Sequence, residues 1–163
     1  MAGNISLRKE EPMKEGTKII IGRRDRIDLP ELGYANIRAK IDTGAYGCAL
    51  HCSQINVIVK AGRKVLTFIL LDPSYRGFKD ELCQFEHYRD KLVKNSGGET
   101  EHRYIIVTDA IIFGKKLEIE FSLTDRSPMK YPILLGRKFL RHRFLVDVSM
   151  KDVSYKQKKA KRK

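Results

Sequence analysis

The sequence is poor in cysteine: three residues in 163, Cys48, Cys52 and Cys83. An odd, low count argues against a disulfide framework and for free thiols in a reducing compartment, so a cytoplasmic location is expected. No apolar run reaches the roughly eighteen residues of a membrane-spanning helix. Met1 to Lys18 lacks the apolar stretch of a secretory signal. The sequence contains no CxxC, no HExxH or its inverse, and no nucleotide-binding glycine loop. Neither a cofactor nor a metal is therefore expected; a zinc site is the alternative, with Cys48, His51 and Cys52 close together and Cys83 and His87 as a second pair. Internal repeats are also missing.

The 163 residues suit one domain with a real core, and 42% of them are apolar, which excludes a disordered chain. Residues 1–17 are expected to form a flexible arm, 18–150 the domain and 151–163 a flexible basic tail. The net charge is +13. The tail holds seven Lys or Arg and one acid, which leaves +7 on the rest. A lysine-rich tail is usually solvated, although it can hold nucleic acid weakly. The basic body favours an acidic substrate.

The hydropathy pattern is mostly that of short strands. Ala35, Ile37, Ala39 and Ile41 alternate with Asn36, Arg38 and Lys40, giving a strand with one buried face that runs directly into Asp42. Ile55–Val59 and Val65–Leu71 bracket a turn at Gly62, and Ile111–Phe113 and Leu117–Leu123 bracket another at Gly114. Asp72–Gly98 reads as a long connection with a helical turn over Lys79–Val93. Ile133–Leu135 and Phe144–Val148 are further strands. The expectation is a small closed barrel or a sandwich.

Asp42-Thr43-Gly44 is the chemically suggestive tripeptide. A strand delivers a carboxylate, Thr43 can hydrogen-bond across the loop, and Gly44 permits a tight turn. Alone, the tripeptide is equally an ordinary turn after a strand. About ninety residues later, Ile133-Leu-Leu-Gly136-Arg137 followed by Phe139 and Leu140 reads as a strand feeding a short helix. The pair, in this order, resembles retropepsin-like aspartic peptidases. Leu29-Pro-Glu-Leu-Gly33, Ala49-Leu-His51, Arg103-Tyr-Ile-Ile106, Thr124-Asp-Arg126, Met129, Tyr131-Pro132 and Val146-Asp147 extend the likeness over roughly residues 18–150. The set is similar to the bacterial family often labelled "ATP-dependent zinc protease", which includes RimB-like glutamyl peptidases.

The resemblance implies a mainly β fold, a retropepsin-like closed barrel with one or two short helices, and aspartic endopeptidase chemistry on acidic poly-α-glutamate tails of glutamylated proteins. It implies Asp42 as the catalytic carboxylate, with Thr43 and Gly44 shaping its loop. Arg103, Arg126 and His51 become candidate substrate contacts, and Ala45, Gly136 and Arg137 structural neighbours of the site. Aspartic peptidases need two adjacent carboxylates, and this chain has one Asp-Thr-Gly, so a two-fold homodimer is expected. Asp109 or Asp147 would have to serve in a monomer. The rival expectations are an inactive module that binds acidic peptides and a basic nucleic-acid-binding barrel.

Overall fold

The computed structural model describes residues 17–94, 97–125 and 130–162, with the side chains of 93 and 94 left aside. The strands are β1 (Ile19–Ile21), β2 (Arg24–Leu29), β3 (Tyr34–Ile41), β4 (Cys48–Lys60), β5 (Arg63–Leu70), β6 (Leu82–Phe85), β7 (Arg89–Lys94), β8 (Thr100–Ile112), β9 (Lys115–Thr124), β10 (Ile133–Leu135) and β11 (Phe144–Val146). A single 3-10 turn covers Pro30–Leu32, and the helices are α1 (Arg137–Leu140) and α2 (Val153–Lys161).

Six strands close on themselves in the order β10-β3-β2-β8-β9-β4, with β4 returning to β10. The closing piece is β10. Its three apolar residues lie parallel to β3 through Ile133↔Ala39 and Leu135↔Ile41, and antiparallel to β4 through Ile133↔Leu50. Ile133 and Leu135 are fully buried, as a strand with core on one side and partners on both edges requires. Closure leaves the ring without free edges. Inward residues alternate with outward ones, so Ile27, Ile37, Ala39, Ile106, Ile119 and Phe121 meet in one core.

The β4–β5 hairpin projects from the barrel. Its two-residue turn at Ala61 and Gly62 has positive φ at both positions, 51° and 75°, the geometry that matches the twist of paired strands. The exposed side chains of Val57, Ile58 and Val59 lie near its tip.

Two expectations are corrected. The connection after Asp72 holds strands where a helical turn was expected. In β6, Cys83 and Phe85 are half-buried while Leu82 and Gln84 are exposed, and the strand pairs with β5; β7 pairs with β8 through Lys91↔Arg103. Edge strands with one wet face carry too few apolar residues for a clear period-two signal. The flexible tail is instead the docked helix α2. The buried Asp25 carboxylate accepts the Ser154 and Tyr155 amides at 2.9 and 3.1 Å, and Ser154 Oγ accepts the Phe113 amide at 2.8 Å. Lys158 Nζ donates to Asp28 at 2.8 Å. The N-terminal arm, apart from Thr17, falls outside the described residues. No described helix is long and apolar enough to cross a membrane.

Candidate active site

β3 ends where Asp42 begins. The Asp42 amide donates to the Leu135 carbonyl at 2.9 Å, which fixes the start of the loop against β10. The loop then closes on itself: the Gly44 amide donates to Asp42 Oδ1 at 3.0 Å, and the Ala45 amide donates to the Asp42 carbonyl at 3.3 Å. Asp42 is half-buried and Thr43 and Gly44 are exposed, so the carboxylate sits at an open end of the barrel.

The segment after β10 holds the loop from the other side. Arg137 and Lys138, the first residues of α1, donate their amides to the Ala45 and Tyr46 carbonyls at 2.9 and 2.8 Å. These amides have no partner within a helix, so the loop supplies one. The Arg137 guanidinium donates to the Thr43 carbonyl at 3.0 Å. A Cβ on Gly136 would lie 2.1 Å from the Gly47 carbonyl oxygen, so only glycine lets the two backbones approach this closely. The Gly136 amide meets Cys48 Sγ at 3.4 Å, and burial pushes the Cys48 thiol up to about 11 despite that donor. Asp42, Thr43, Gly44, Ala45, Gly136 and Arg137 thus form one constellation.

His51 lies elsewhere. Its side chain is fully buried, its amide is bound to the Pro132 carbonyl, and Nε2 lies 2.5 Å from Asp72 Oδ2. Asp42 meets β10 at Leu135 and His51 meets it at Pro132, so the two residues belong to opposite ends of that strand. Asp72 is held below the usual carboxylate range, first by the Ser74 hydroxyl and then also by Ser74 N–H and His51. The sequence reading missed Asp72; its one signal is that it follows the apolar run of β5.

Arg103 reaches a different feature, a cavity of about 750 Å³ on the outer side of β8 and β9. Arg103, Lys91, Arg143 and Lys138 line it together with Tyr46 and Glu120. Arg103 Nε and Ser122 Oγ are buried there with no hydrogen-bond partner. Residues 46–48 form one wall, which joins the cavity to the Asp42 loop, although Asp42 is not among the lining residues. The cluster holds more cations than acids; Glu120 is engaged by Arg89 and Lys138. Lys91 and Arg89 were missed because β7 was not foreseen, and Ser122 because a lone hydroxyl on the outer face of β9 carries no signal of its own. Arg126 and Met129 lie outside the described residues.

Among the described residues no three His, Cys, Asp or Glu side chains converge as a metal site would require. Asp109 pairs with Lys116 at 3.3 Å, and Asp147 accepts the Ser149 hydroxyl at 2.6 Å.

A closed six-strand barrel with an Asp-Thr-Gly loop braced by an apolar strand and a Gly-Arg helix start defines the aspartic-protease-like class. The family model described as retropepsin-like aspartic endopeptidase RimB, RimB-like, matches residues 20–157, and the chain belongs to that family. Relatives named probable alpha-L-glutamate ligase match it at 34% identity over 133 residues in Shewanella pealeana, covering 81% of this chain and 29% of the relative. A Desulfotalea psychrophila protein of the same name matches at 29% identity, covering 82% and 29%. The chain therefore spans less than a third of the curated relatives it matches. A crystal structure of a Legionella pneumophila protein of unknown function is similar at a TM-score of 0.65 and 26% identity, covering 83% of this chain and 97% of that one.

Proposed function

We propose that this chain is an aspartic endopeptidase that hydrolyses acidic, glutamate-rich chains in the cytoplasm, with Asp42 as its catalytic carboxylate. The observation that carries the reading is the bracing of the Asp42 loop by β10 and α1 at the open end of the barrel. A rigid, strand-borne carboxylate suits a group that must hold water and substrate in one geometry.

The chemistry needs a second carboxylate beside the first. Two such groups at close range cannot both ionise, so the pair holds one proton between them. One carboxylate draws a proton from water as the water attacks the scissile carbonyl, and the other donates to the carbonyl oxygen. The tetrahedral intermediate then collapses with transfer of a proton to the leaving amine, and no enzyme adduct forms.

A two-fold homodimer supplies the partner Asp42. The parallel β1–β11 pair supports this reading, because Ile20 and Leu145 on it and Val148 just after it are 49%, 56% and 72% exposed. Apolar side chains gathered on a small two-stranded sheet suit contact with a second copy.

The acidic substrate is supported by the basic body and by the Arg103 cavity, whose lining sets Arg89, Lys91, Arg103, Lys138 and Arg143 against Glu118 and Glu120. The name of the relatives, probable alpha-L-glutamate ligase, supports a glutamate-containing substrate. Incubation with poly-α-glutamate and, separately, with an unfolded neutral protein tests the reading. Wild type should release new amino termini from the first substrate far faster, and Asp42→Asn should release none. Binding without cleavage by wild type would contradict it.

A further inference from the structure

The outer face of β2 and β3 carries a block of like charge. Arg24 lies opposite Lys40 and Arg26 opposite Arg38 in the antiparallel register. Their neighbours Ile27, Ile37, Ala39 and Ile41 point into the core, so the four cations share the outward face. Like charges directly opposite one another repel, and Arg24 is relieved first by its hydrogen bond with Tyr131 and then by Asp152. Nearby acids compensate little of the block's charge. Asp152 reaches Arg24 at 3.5 Å, whereas Asp28 is taken by Lys158 and Asp25 by the α2 amides.

Two tyrosines flank the block, each beside two cations. Arg26 lies over the Tyr155 ring at 4.2 Å with Lys159 at 5.3 Å, and Arg38 lies over Tyr131 at 5.2 Å with Lys130 at 5.7 Å. Tyr155 and Lys159 hold fixed positions because α2 is docked, and both rings are part-exposed. The Tyr131 hydroxyl is held below its ordinary range, first by its hydrogen-bonding interaction with Arg24.

We propose that this face binds single-stranded nucleic acid, with phosphates on the Arg24, Arg26, Arg38 and Lys40 block and bases stacked at Tyr131 and Tyr155. Cations on a sheet face flanked by aromatic rings, here Tyr155 from α2 and Tyr131 from the segment before β10, are the chemistry of a strand-tracking surface: the charges follow the backbone, and the rings accept any base. An acidic peptide would satisfy the charges but has no use for the rings. None of these residues lines the Arg103 cavity.

Fluorescence anisotropy of the full chain with oligouridylate and with oligothymidylate, over a salt series, tests this. Binding should weaken with salt, and the slope of log affinity against log salt should shrink by about 0.7 for each cation lost in Arg26→Gln and Arg38→Gln. Tyr131→Leu and Tyr155→Leu should each weaken binding about five-fold or more while leaving the slope unchanged. Tyr155→Phe, which keeps the ring, should bind as wild type. If Tyr155→Leu does not fold, Tyr131→Leu carries the stacking test. Unchanged affinity and slope in these variants would overturn the assignment, as would loss only on Lys156→Gln and Lys161→Gln, which lie off the block. It is equally overturned if these substitutions abolish binding of poly-α-glutamate and leave oligonucleotide binding intact.

Discussion

The Arg137 guanidinium donates to the Thr43 carbonyl at 3.0 Å and so joins the first residue of α1 to the loop that presents Asp42. The contact spans 94 residues of chain and holds the loop from its solvent side. Arg137→Lys replaces a planar fork by a point charge on a mobile stem. It should cost about 1 kcal/mol of stability and lower kcat about ten-fold with little change in KM. Steady-state kinetics on poly-α-glutamate with a parallel thermal melt checks this.

Gly136→Ala tests the backbone contact beneath the same loop. The new methyl group would meet the Gly47 and Tyr46 carbonyl oxygens at 2.1 and 2.7 Å, and neither oxygen is the end of a flexible side chain. The substitution should cost about 3 kcal/mol, the upper part of the usual overpacking range. Urea unfolding should show the loss in the midpoint, with m unchanged.

The His51–Asp72 pair carries a prediction about acid stability. Asp72 is held below its unfolded value, with the Ser74 hydroxyl the largest cause. Its contribution is therefore present above about pH 4 and is lost as pH falls through the lowered folded value. Asp72→Asn should flatten the fall in stability below pH 4 measured by urea titration. His51→Ala should cost about 3 kcal/mol at neutral pH, because it empties a buried site and removes one member of the pair.

Cys48 sits against the Gly136 amide with its thiol pushed up to about 11 by burial, and burial raises Cys52 as well. Neither should react with iodoacetamide at pH 8 in the folded protein, since the thiolate is the nucleophile. Peptide mapping after brief alkylation should find label on the half-buried Cys83 first, and on all three only in denaturant.

The legible parts of the molecule were those whose information is local. The alternation from Ala35 to Ile41 announced β3 and its delivery of Asp42, and Gly62 announced a hairpin turn. What escaped depends on distant partners. α2 begins at Val153 because Asp25, 129 residues earlier than Ser154, accepts its first amides. β6 and β7 were hidden because edge strands need only half an apolar face. The bracing of the Asp42 loop was legible only through resemblance, since Leu135, Gly136 and Arg137 become its neighbours solely by barrel closure. His51 shared the motif set yet serves the opposite end of β10, because neighbouring motifs in sequence need not share one end of a barrel.

The central claim is that Asp42 acts as half of a carboxylate pair completed by a second copy of the chain. Its most direct test is the activity of a fixed amount of wild type, refolded with increasing amounts of Asp42→Asn, on poly-α-glutamate. Mixed dimers would carry one carboxylate and one amide, so wild-type activity should fall toward zero as the variant comes into excess. Activity that stays constant across the series would contradict the account.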